Sequence, residues 1–473
     1  MKKTISFLLF CCTIFPLAGQ QGFEFASLLN LDQEAVVVAE NLDGHFILAV
    51  TADTLNDQQV KFIELDEEGQ ILHSQTFFEE GCVLHIAQIF SMPDHYITFG
   101  YKDCENSGSR PVWILKLSPE LELLEEQVYE ILEKDGKFIN PRARLISDST
   151  IAFSAIFRPG GLYRPMGGII HLEEENFEYS IWANNSDYIN DFSFRSDSAG
   201  YVLFGTRLYF TDASFNVNYI RENVDNNFSI GQQGAIEHIN DTLFLLSGRY
   251  NSLDKDGIIV GIFNHDFQVI QYDTIATYPE DAPINYPAPK ASLGMGSSGD
   301  YFYLGGILNI DIFSFPYSNH LSSFVLAKYD MSLDKYWEKT YGGDAYYFMR
   351  GLIATSDGGC LMYGFRYQTG SFPEAYALKV DGNGLITGTT RIPLPESPFK
   401  IFPNPFQHTL VIDTPLEQDF TIQLFDSSGK LVLKSNFHST QTLDLSFLDS
   451  GSYFYQIWKG QEILKTGKVV KVE

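Results

Sequence analysis

The chain is short of basic residues, short of cysteine and nearly free of long apolar runs. Its 32 Lys and Arg stand against 60 Asp and Glu, a formal net charge of −28 over 473 residues. Binding to a phosphate backbone needs clustered cations, so this balance excludes nucleic acid as a partner. It equally disfavours an electrostatic hold on anionic lipid; its plain physical role is to keep an exposed surface soluble. Of five cysteines, Cys11 and Cys12 fall near the start, which leaves Cys82, Cys104 and Cys360 for the body of the chain. Three thiols make no disulfide framework, and Cys82 and Cys104 are open to two readings, a bridge or two buried thiols.

Catalytic signatures are scarce as well. The chain carries no HExxH pair, no GxSxG nucleophile turn, no Walker loop and no CxxC pair. Gly294-Met295-Gly296-Ser297-Ser298-Gly299 has no Lys after it and reads as a connection between strands. The acidic turns Asp66-Glu67-Glu68, Asp254-Lys255-Asp256-Gly257 and Asp381-Gly382-Asn383-Gly384 lack the spaced oxygen ligands and closing Glu of a calcium loop, and read as hairpin turns. His85, His95 and His171 sit in or beside predicted strands and read as structural residues. No metal site and no cofactor is expected.

The one strongly apolar run comes first. Lys2 and Lys3 precede Ile5 to Leu17, and small Ala18 and Gly19 follow, the layout of a secretory signal peptide over residues 1–20. The run is too short to span a bilayer, no later stretch is long and apolar enough to do so, and bulky Phe10 before Cys11 argues against lipid attachment. The 44% hydrophobic content implies a packed core, and 39 Phe with 26 Tyr favour strands, whose pleated faces hold flat rings.

From about Ala35 to Gly388 one pattern recurs at intervals of roughly 40 to 60 residues, the range of propeller repeats. A turn residue leads into an apolar-aromatic run and then a small residue. Gly44 to Ala49, Asp94 to Gly100, Ser149 to Ser154, Gly200 to Gly205, Asp241 to Gly248, Asp300 to Gly305 and Gly358 to Gly364 follow it. A second strand pair around an acidic or Gly-bearing turn follows most of them, as in Lys61 to Ile71 and Tyr376 to Ile386. Each repeat reads as four antiparallel strands whose two wet faces must be covered by neighbours. The expected fold is all-β: a β-propeller of seven blades over residues 22–390, with six or eight as alternatives, then a small β-sandwich. Two packed sandwiches are the competing reading. Pro393, Pro395 and Pro398 place an extended linker at 391–400.

The last stretch, 401–473, opens on Ile401-Phe402-Pro403-Asn404-Pro405-Phe406. It continues through a hairpin, Gln423 to Val432, that turns at Gly429, then through Asp444 to Ile457 with Gly451 and Tyr453, and closes on Lys465 to Val472 with Lys468. These four ordered motifs, over about 75 residues, resemble the type A C-terminal sorting domain of the type IX secretion system of the Bacteroidetes. The resemblance implies a small β-sandwich read by the secretion machinery as an export address, then removed or exchanged for a surface anchor. It implies passage through the periplasm to the outer-membrane surface or beyond. Residues Ser356 to Ile386 look, more loosely, like repeats of secreted Bacteroidetes proteins whose propellers precede such a domain.

For the propeller itself, aromatic and Arg residues between strands are the expected recognition surface: Tyr163 and Arg164, Phe315 and Tyr317, and Phe365, Arg366 and Tyr367. The same residues also suit packing between blades. The residues favour a non-enzymatic module that binds a glycan or a protein. The alternatives are a hydrolase or lyase with carboxylates from different blades meeting at one mouth, and a structural adhesion protein.

Overall fold

The computed structural model describes residues 22–27, 32–53, 58–104, 110–131, 136–159, 163–174, 176–182, 189–194, 199–204, 207–212, 215–222, 228–229, 234–240, 242–252, 255–279, 284–288, 292–310, 320–368, 371–386, 399–414, 419–426, 430–459 and 462–472. The expected leader at 1–20, most of the linker, Phe315, Tyr317 and Gly429 lie outside them. Among the described residues every regular element is a strand, and no helix is long and apolar enough to cross a membrane. The chain divides into two compact units, Met1–Pro393 and Leu394–Glu473.

In the larger unit, hydrogen bonding groups the strands in chain order into antiparallel sets of four. The first set is Asp32–Glu40, Phe46–Asp53, Gln58–Leu65 and Ile71–Phe77. The second is Cys82–Ser91, Tyr96–Cys104, Val112–Leu117 and Leu123–Tyr129. Residues 136–181 and 189–222 form the third and fourth, and 228–279 the fifth, whose first strand is split in two. The 20-residue strand Lys335–Ala354 serves two sets: its first half ends the sixth, and its second half, beyond Gly342 and Gly343, begins the last. That last set continues through Cys360–Tyr367 and Glu374–Val380 and is completed from the other end of the chain. Phe23–Ala26 pairs antiparallel with Glu374–Val380, placing Phe23 opposite Lys379 and Ala26 opposite Tyr376.

The first strands of the first five sets adjoin in succession, Ile284–Pro287 of the sixth adjoins Leu243–Ser252 and Lys255–Asn264 of the fifth, and Lys335–Ala354 adjoins Asp32–Glu40, so the ring closes. Radial sheets closed by a strand from the N-terminal side are a β-propeller, an arrangement that covers each sheet with its neighbours. The core lies between blades, as where Phe99, Phe138 and Phe153 of the second and third sets pack in one cluster. Cys82 and Cys104 face each other directly across the hairpin of the second set and are bridged. Cys360 remains a buried thiol, its pKa raised chiefly by burial.

The recurrent run seen in the sequence falls on the second strand of each set, and the small residue that ends it has a cause. The first strand bulges opposite it, between Ala35 and Val37, Ile86 and Gln88, Ile139 and Arg142, and Met349 and Gly351. A bulge pushes backbone toward the neighbouring strand. A Cβ added at Gly100 would lie 1.8 Å from the His85 carbonyl oxygen, and one at Gly364 would lie 1.9 Å from that of Phe348.

A second regularity joins the blades. The turn that follows the third strand begins at Asp66, Ser118, Asp212, Asn264, Asp330 or Asp381, whose side-chain oxygen accepts the backbone N–H of the fifth turn residue in each case. The fourth residue has positive φ: Gly69, Leu121, Phe215, Phe267, Leu333 and Gly384. This is a type I turn with a following left-handed residue, a common hairpin link. Four of these positions carry bulky residues because each is buried against the preceding blade. Leu121 joins the cluster of Ile47 and Phe62, Phe215 that of Ile156, Phe267 that of Leu208, and Leu333 that of Ile258. At the glycines the neighbour supplies the ring instead: Phe23 lies over Gly69 and Trp337 over Gly384.

Phe215→Gly tests this device. Glycine would relieve the left-handed backbone by about 1 kcal/mol but remove a fully buried ring, which costs about 3–5 kcal/mol. The expected net loss is about 2–4 kcal/mol, read as a lower urea midpoint. A midpoint at or above that of the wild type would show that the ring fills nothing.

Candidate functional site

The smaller unit holds two sheets. One is Lys400–Phe402, Thr409–Asp413 and Gln441–Asp444; the other runs Leu431–Phe437, Phe420–Phe425, Gly451–Lys459, Glu462–Lys471. Alternate residues turn inward, so Phe420, Ile422 and Leu424 meet Tyr453, Tyr455 and Ile457 in one core with Phe399 and Phe406. The Pro403 to Phe406 motif is bound to the last strand. Asn404 Oδ1 accepts the Val470 N–H at 2.9 Å and its Nδ2 donates to the Lys468 carbonyl at 3.1 Å. Phe406 N–H donates to the Val470 carbonyl, and Val472 N–H to the Phe406 carbonyl, both at 2.9 Å. Two prolines cannot donate to a ladder, so the Asn404 side chain takes the place of the missing backbone partner. Tyr453 OH donates to the Asp449 carbonyl at 2.7 Å, pinning the turn before Gly451.

The Lys468 side chain is exposed, whereas Lys471 is buried. The Lys471 ammonium donates to the carbonyls of Leu445, Ser446 and Leu448 at 2.8, 3.0 and 2.6 Å. In the sequence it is one more Lys in a basic terminal strand, and nothing marks it as interior.

The propeller gathers charge on its inner strands. Arg144 Nη1 and Nη2 donate to both oxygens of Glu237 at 3.0 and 2.6 Å, and Nη2 reaches Asp191 at 3.4 Å. Its Nε donates to the Phe192 carbonyl at 2.6 Å, while Asp191 also accepts the Ile236 N–H at 3.1 Å. One side chain thereby ties three consecutive blades. Burial opposes the Arg144 charge, but the two carboxylates outweigh it and hold its pKa above the usual arginine value. Burial pushes the Glu237 carboxyl up, against the pull of Arg144. About a third (32%) of the Arg144 side-chain surface admits water.

The expected recognition residues are dispersed. Tyr163 lies just before the strand Arg164–His171, with the Arg158 guanidinium 4.8 Å from its ring centroid. Phe365 and Arg366 are inside the strand Cys360–Tyr367 rather than on a loop, and both are buried. Phe365 stacks on Phe348, and Arg366 reaches Glu24 at 3.2 Å and Glu374 at 2.9 Å. Arg366 thus fastens the closing strand, and Tyr367, half-buried, ends its own. The acidic turns spend their carboxylates on backbone N–H groups, as Asp66 and Asp381 show.

A cleft of about 350 Å³ opens between the second and third blades, a place the sequence did not mark. Buried Ile97 and Ile114, with half-buried Leu172, line it with methyl groups. Polar side chains from both blades surround these, among them His95, Lys116 and Gln127 of the second and Asp148, Ser149 and Glu173 of the third. Gln127 is held from two sides: Tyr129 OH donates to its Oε1 at 2.7 Å, and its Nε2 donates to Glu125 at 2.7 Å and the Leu172 carbonyl at 3.3 Å.

Comparison with known proteins identifies the smaller unit. Residues 400–472 match the family described as a secretion system C-terminal sorting domain. The C-terminal unit is a type IX sorting domain. The chain is therefore one that type IX secretion exports to the cell surface or the extracellular space. No curated protein matches the chain in sequence. Among solved structures it is similar to Drosophila Semaphorin 2a, at 6% identity and a TM-score of 0.43, over 94% of this chain and 98% of that one. It is also similar to the Vanderwaltozyma polyspora Nup133 β-propeller domain, at 10% identity and a TM-score of 0.39, over 75% and 97%. A third is BamB from Moraxella catarrhalis, at 9% identity and a TM-score of 0.34, over 82% and 97%.

Proposed function

We propose that the propeller is a non-enzymatic binding module, carried out of a Bacteroidetes cell behind a signal peptide at 1–20 and delivered by residues 401–473. We also read it as having seven blades, because seven four-stranded sets follow from the pairing when the long strand Lys335–Ala354 is divided between two of them. The cleft between the second and third blades carries the binding reading. It combines an apolar floor with polar side chains set by their own hydrogen bonds, the general composition of a ligand site, and its volume is within the usual range of about 300–1,000 Å³.

The test is a binding screen of the full chain against glycan and protein arrays and soluble polysaccharides, scoring both retained and cleaved material. We expect retention without cleavage. Turnover of a defined polysaccharide would replace this reading with that of a hydrolase or lyase. No retention on any surface would leave a structural adhesion role.

A further inference from the structure

The blades are sealed to one another by the fourth residue of each outer turn, and one blade breaks that rule. Leu121, Phe215, Phe267 and Leu333 fill the wedge beneath the preceding blade, and Phe23 and Trp337 fill it at Gly69 and Gly384. In the third blade the corresponding turn is one residue shorter: His171 faces Asn176 with four residues between them and no register shift, where the other hairpins have five and a shift. None of the described residues of this turn, Leu172, Glu173 and Glu174, is buried, and the 350 Å³ cleft lies beside it with Leu172 and Glu173 on its wall. The opening is therefore a specific departure from a sixfold-repeated seal.

Its chemistry narrows the ligand. The floor of Ile97, Ile114 and Leu172 offers aliphatic contact suited to the C–H face of a pyranose ring. Around it, Glu125, Asp148 and Glu173 can only accept hydrogen bonds when ionised, and Lys116 can only donate. Sugar hydroxyls do both, so vicinal hydroxyls can satisfy a carboxylate and an ammonium together. Three carboxylates against one ammonium, in a chain of net charge −28, repel a ligand that is itself anionic.

Resting on the reading of the propeller as a binding module, we propose that this cleft binds a short stretch of a neutral saccharide and rejects uronate- and sulfate-bearing chains. Gln127, fixed between Tyr129, Glu125 and the Leu172 carbonyl, positions the Glu125 carboxylate on the rim.

The experiment is affinity electrophoresis of the full chain through gels containing mannan, laminarin or xylan, and in parallel alginate, polygalacturonate or heparin. At least one neutral polymer should retard the wild type, and none of the anionic ones should. Leu172→Trp, which fills the cleft from its half-buried wall, should weaken that retardation at least tenfold, while Glu174→Ser, in the same turn but off that wall, should leave it unchanged. Circular dichroism and the urea midpoint should be the same for all three proteins. Equal retardation of wild type and Leu172→Trp would overturn the cleft as the site while leaving the binding module standing. Retardation by anionic polymers alone would overturn the ligand class. Capture of a protein ligand with no glycan bound would overturn the saccharide proposal and keep the module, whereas no binding to glycan or protein would overturn both.

Discussion

Replacing Arg144 by Met destabilises the propeller by about 2–4 kcal/mol, more than any other single inner-strand change expected from this structure. Methionine matches the length of the stem but removes five donors. Glu237 loses a two-pronged partner, Asp191 loses its cation, and the carbonyls of Phe192 and Ile236 lose a donor each. Removing one partner of a buried ion pair costs about 3–5 kcal/mol. Water reaches about a third of the Arg144 side chain (32%), which lowers that figure by screening the charges left behind. Lys at this position should recover less than half of the loss, because an ammonium cannot hold both Glu237 oxygens in the plane that a guanidinium does.

The loss should also depend on pH, with a definite sign. The Glu237 carboxyl already has a raised pKa in the folded protein, and without Arg144 it rises further. A carboxyl whose folded pKa exceeds its unfolded value favours the native state at low pH and costs stability as pH rises through the folded value. The gap between wild type and Arg144→Met should therefore narrow at pH 5 and widen at pH 8. Urea midpoints at both values decide it: a gap that is constant or wider at pH 5 would mean that Glu237 is not the group left unpaired.

The fold was legible where a strand is continuous and illegible where it is broken. The second strand of each blade is an unbroken apolar run, buried on both faces in Thr150–Pro159 and Cys360–Tyr367 for example, and shows as the recurrent run; the acidic turns that follow show because Asp, Asn and Gly mark them. The first strands carry the bulges, at Ile86 to Gln88 and Ile139 to Arg142 for example, and an inserted residue destroys the alternation a reader looks for. Arg144, Asp191 and Glu237 lie on first strands, so the charged network was hidden with them. Phe365 and Arg366 misled for the opposite reason. Gly364, as the small residue ending the recurrent run, placed them past the end of the strand, but Gly364 is small to pass the Phe348 carbonyl inside a strand. The cleft was invisible because one turn is a residue short: four residues between His171 and Asn176 mean nothing until the five-residue turns that carry Phe215, Phe267 and Leu333 are seen elsewhere.

Lys471→Met should abolish most export while leaving the propeller folded. The buried ammonium is held by three backbone carbonyls of the segment Leu445 to Leu448. A thioether of similar length fills the space but donates nothing, and a hydrogen bond to a charged donor contributes about 1.5–3 kcal/mol. A loss of about 2–4 kcal/mol is large for a unit of this size, whose single core rarely supplies more than about 3–5 kcal/mol. The segment that would come loose runs beside the strand that Asn404 and Phe406 grip, so the Pro403 to Phe406 motif would lose its footing too. Lys468→Met is the control: its side chain is exposed, and only its carbonyl meets Asn404, so the change should cost less than about 0.5 kcal/mol. Cell fractionation against a variant lacking residues 400–473 gives the answer. Periplasmic retention of Lys471→Met, matching the deletion, with normal surface delivery of Lys468→Met, is the expected pattern. Normal delivery of both would show that the sorting machinery tolerates an unlatched C-terminal strand.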